Sequence, residues 1–78
     1  MKHNLSHQWR TVLTKLAEFE HGVKRVTLCD ILGDDDRKSP TEGVLNQMFF
    51  SDHNYYENHP MNGGIKITQE GLEAINER

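Results

Sequence analysis

The sequence holds one cysteine, Cys29, in 78 residues. An intramolecular disulfide is therefore excluded, which suits a reducing compartment. Long apolar runs are missing too. Nothing approaches the roughly 18 residues a membrane helix needs, and the N-terminus lacks the apolar core of a secretory signal. The expectation is a cytoplasmic protein with no membrane partner. Basic residues are few, with 9 Lys and Arg against 12 Asp and Glu, for a net charge of -3. That balance excludes attachment to nucleic acid by bulk charge alone, because such binding rests on Lys and Arg contacts to phosphate. It leaves room for a local basic patch.

Catalytic patterns are absent as well. There is no phosphate loop, no Ser/His/Asp spacing and no paired-carboxylate arrangement, so no catalytic residue and no cofactor is assigned. Cys29 has no evident base beside it in sequence and reads as a small buried residue. The five histidines lack the cysteine partners of a tetrahedral site. Asp34-Asp35-Asp36 lacks the spacing and distal glutamate of a calcium loop, so no metal is expected.

What is present is the pattern of one small folded domain spanning residues 1–78. Hydrophobic content of 35% and charged content of 27% suit a globular module. Ser6 is placed to cap a first helix, and Trp9, Val12, Leu13, Leu16 and Phe19 follow at helical spacing. Arg10, Thr11, Thr14 and Glu18 fall on the other side, and Gly22 suits a C-terminal cap. Val23 to Val26 reads as a short edge strand. Thr27 then caps a helix of about two turns that ends at Gly33. After the polar link Asp34 to Lys38, Ser39-Pro40-Thr41-Glu42 has the form of a capping box with proline at the first helical position. The helix it opens runs to about Phe50. Val44, Leu45, Met48 and Phe49 form its inner face, and Gly43, Asn46, Gln47 and Phe50 its outer one.

The last third reads as a hairpin leading into a capped helix. Tyr55 to His59 is the first strand, ending at Pro60. Asn62, Gly63 and Gly64 form the turn, and Ile65 to Ile67 the second strand. Thr68 caps a final helix whose inward face holds Gly71, Leu72 and Ile75. Alternation along the first strand buries one of Tyr55 and Tyr56 and exposes the other.

The fold class expected is α+β: three helices, a two-stranded C-terminal hairpin and a short final helix. That order, with Ile65-Lys66-Ile67-Thr68-Gln69-Glu70-Gly71-Leu72, resembles the small bacterial winged helix-turn-helix domains. The resemblance implies a DNA-binding regulator with Ser39 to Phe50 as recognition helix and Asn58 to Lys66 around the wing. Arg37, Lys38, Gly43, Asn46, Gln47 and Lys66 would then meet DNA. Asn and Gln amides pair with adenine in the major groove, and phosphates are favoured at a helix N-terminus. The same fold also serves as a protein-binding module. On that alternative Asp34, Asp35, Asp36, Phe50, Tyr55 and Tyr56 form the surface. So small a domain also leaves apolar surface on its first or last helix for a homodimer.

Overall fold

The computed structural model describes residues 5–58 and 64–76. It is α+β. Seven elements follow in order: α1 (His7–Ala17), β1 (Val23–Lys24), α2 (Arg25–Ile31), α3 (Pro40–Phe49), β2 (Tyr56–Asn58), β3 (Gly64–Ile67) and α4 (Gln69–Asn76). The sheet is antiparallel in the order β1-β3-β2. The hairpin is thus joined by a third strand, with Val23 opposite Ile65 and Lys24 opposite Gly64. Tyr56, Glu57 and Asn58 face Ile67, Lys66 and Ile65 across the other edge of β3. Of the expected turn Asn62, Gly63 and Gly64, Gly64 is the first residue of β3, and Asn62 and Gly63, with His59 and Pro60 before them, lie outside the described residues.

The α1 stripe is the floor of the core. Ser6 caps the helix as expected, its hydroxyl oxygen accepting from the Trp9 amide at 3.2 Å. Leu13 and Leu16 are fully buried with Leu28, Leu45, Met48 and Ile65, and each such side chain contributes about 1.5–3 kcal/mol by leaving water. Arg10 does not sit on a free outer face. Its Nη1 donates to the Ile75 carbonyl, 3.1 Å away near the C-terminus of α4, where a cation meets the negative end of the helix dipole. Gly22 has the expected positive φ of 92°. It closes a further turn, donating to the Phe19 carbonyl, rather than capping α1 directly.

Thr27 is not a cap. β1 ends at Lys24, which is paired with Gly64 and is also the N-cap residue of α2, with no side-chain capping bond, so the helix begins at Arg25, before Thr27. The end of α2 is well closed. Gly33 (φ 92°) donates to the Asp30 carbonyl and Asp34 to that of Cys29, the paired bonds of a Schellman ending.

At the far end Thr68 caps α4 as expected, accepting from the Gly71 amide at 3.1 Å and donating its own hydroxyl proton to the Asn54 carbonyl. Gly71 is required there. A methyl group would overlap the Tyr55 carbonyl oxygen and lie 2.7 Å from Ile67 Cγ1.

Candidate functional site

The surface with most chemical character surrounds α3. Its inner face is Thr41, Val44, Leu45 and Met48, all buried. Its outer face is Glu42, Gly43, Asn46, Gln47, Phe49 and Phe50. Phe49 was expected inside and is 61% exposed, with Phe50 at 83%. The two rings meet edge to face, 5.4 Å between centroids at 88°.

Both tyrosines are buried, Tyr55 to 3% and Tyr56 to 4% exposure, so neither is a surface anchor. Alternation fails because β2 starts at Tyr56. Tyr55 precedes the strand and is free of its pleat. Its ring lies 6.1 Å from that of Trp9, edge to face, and stacks on His53 at 5.2 Å. Tyr56 is buried with its hydroxyl satisfied, donating to the Leu45 carbonyl at 2.8 Å. His53 Nδ1 lies 2.7 Å from Glu70 Oε2, and Glu70 Oε1 accepts from the Asn54 amide at 3.0 Å. These contacts tie the link after α3 to the start of α4.

The start of α3 is capped from a distance. Ser39 occupies the N-cap position, but its side chain caps nothing. Asp34 does so instead: its carboxylate accepts from the Thr41 and Glu42 amides at 3.2 and 3.3 Å. Burial raises its pKa, but hydrogen bonds from the Thr41 hydroxyl, the Thr41 and Glu42 amides and the Cys29 thiol outweigh that. The carboxyl is held below its ordinary 3.8. Asp35 folds the loop on itself, accepting from the Arg37 and Lys38 amides at 2.8 and 2.6 Å. Two of the three aspartates therefore hold the loop and helix in place, and Asp36 is exposed. Cys29 is buried beside this cap. Burial first, then the charge and hydrogen bond of Asp34 and the charge of Glu42, raise its pKa to about 11 against a small opposing effect of Arg25.

Asn46 and Gln47 are exposed but oriented. Asn46 Oδ1 accepts from Arg25 Nη2 at 2.6 Å, and Gln47 Oε1 from Trp9 Nε1 at 3.1 Å. Each amide oxygen thus uses one of its two lone pairs inside the domain, and these contacts fix the orientation in which either amide could meet a base edge. Arg37 and Lys38 are exposed beside the α3 N-terminus, while Lys66 is half-buried on β3, across from Glu57. The amides where a phosphate would dock are already occupied by Asp34. An open groove beside them is lined by Lys24, Arg25 and Cys29 together with Asp30, Asp34, Asp35, Asp36 and Glu42.

Sequence reasoning missed Phe49 as a surface residue, and missed Arg25 and Trp9 as the groups that orient Asn46 and Gln47. Only the second had a signal: an indole N–H at the edge of an apolar stripe needs an acceptor. Among the described residues, no group of three His, Cys, Asp or Glu is placed to hold a metal ion, and no helix is long and apolar enough to cross a membrane. Comparison with protein-family models, curated proteins and solved structures finds no match.

Proposed function

We propose that this chain is a non-enzymatic protein-interaction domain, built on a winged-helix plan, that offers the outer face of α3 to a protein partner. The observation that carries this reading is the pair of adjoining exposed rings, Phe49 and Phe50, at the end of that face. Aromatic side chains left in water are expensive, and at interfaces they act as anchors. Two further features support it. From Gly43 to Phe50 the helix carries no charged side chain, and its N-terminal amides are filled by a carboxylate.

A second reading is DNA binding. It is supported by the resemblance of the element order to a winged helix and by the exposure of Asn46 and Gln47. Arg37, Lys38 and Lys66 would supply the phosphate contacts. The acidic groove at the start of α3 opposes it, because DNA carries a negative charge about every 1.7 Å.

Two measurements test the proposal. A photo-crosslinking side chain at position 50 should capture protein, whereas the same group at the exposed Thr14 should not. A mixed-sequence duplex titrated at low and moderate salt should show no saturable binding. Salt-sensitive DNA binding that weakens in Lys66→Ala, with no capture at position 50, would overturn the proposal in favour of DNA.

A further inference from the structure

We draw no further inference here: the strongest candidate, the exposed Phe49–Phe50 patch at the end of α3 with the open groove of Asp30, Asp36 and Glu42 at its start, belongs to the site already described, and nothing in the structure shows what covers it.

Discussion

Replacing Asp34 with alanine should destabilise the domain far more than replacing Ser39, although Ser39 occupies the residue position of the cap. The Asp34 carboxylate serves two amides at the start of α3, those of Thr41 and Glu42, at 3.2 and 3.3 Å. Loss of a capping side chain costs about 1 kcal/mol and reaches about 2. A charge lost from the positive end of a helix adds about 0.3–1 kcal/mol. Asp34→Ala should therefore cost about 1.3–3 kcal/mol, which lowers the Tm of a domain this size by about 5–24 °C. Ser39→Ala should stay within about 0.5 kcal/mol, since the Ser39 hydroxyl reaches only the Asp35 carbonyl, at 3.4 Å. The assay is thermal and urea unfolding at neutral pH, repeated in acid. The Asp34 pKa is lowered on folding, so its contribution is fully present above its ordinary 3.8 and is lost as pH falls through the lower, folded-state value. The gap between wild type and Asp34→Ala should narrow across that range. A Ser39→Ala cost equal to or above that of Asp34→Ala at neutral pH would refute the assignment of the cap.

Gly71→Ala should cost about 2 kcal/mol or more, because the added methyl meets the Tyr55 backbone and not a side chain that can swing away; urea unfolding measures it. Tyr56→Phe removes the hydroxyl from the Leu45 carbonyl and should cost about 1 kcal/mol, with no change in the circular dichroism of the native state. Cys29 should resist thiol reagents at neutral pH until the chain unfolds, because it is buried and its pKa is raised to about 11. The unfolded thiol ionises near the ordinary 9.0 while the folded one holds its proton, so wild type should lose stability relative to Cys29→Ala as pH rises from 9.0 to about 11. A flat difference across that interval would contradict the assignment.

The elements legible in the sequence are those written in local chemistry. Ser6 and Thr68 cap the helices they precede because each needs only an amide three residues on. Gly33 ends α2 because the positive φ required there is a local property. What could not be read depends on partners distant in the chain. Ser39-Pro40-Thr41-Glu42 has the composition of a capping box, but Asp34 reaches the same amides first, and a local pattern does not reveal that competition. Thr27 failed as a cap because the register of β1 with β3 decides where α2 begins. Phe49 fits an apolar stripe by spacing. In the fold the buried face of α3 is Thr41, Val44, Leu45 and Met48, and Phe49 lies outside it.

The same distinction governs the candidate site. Residue type alone made Asn46 and Gln47 base readers, Asp34 to Asp36 a docking surface, and Tyr55 and Tyr56 anchors. Each of those roles requires a side chain with its polar or apolar end free. In the fold, Arg25 and Trp9 hold the acceptors of the two amides. Asp34 and Asp35 are spent on backbone N–H groups, and both tyrosines are in the core. On the outer α3 face the Phe49–Phe50 pair is exposed, and its rings touch each other. Binding through the amides would leave the Phe49 and Phe50 rings in water. Binding through the rings removes that exposed apolar surface, and this is the physical ground for the proposed protein contact on this helix.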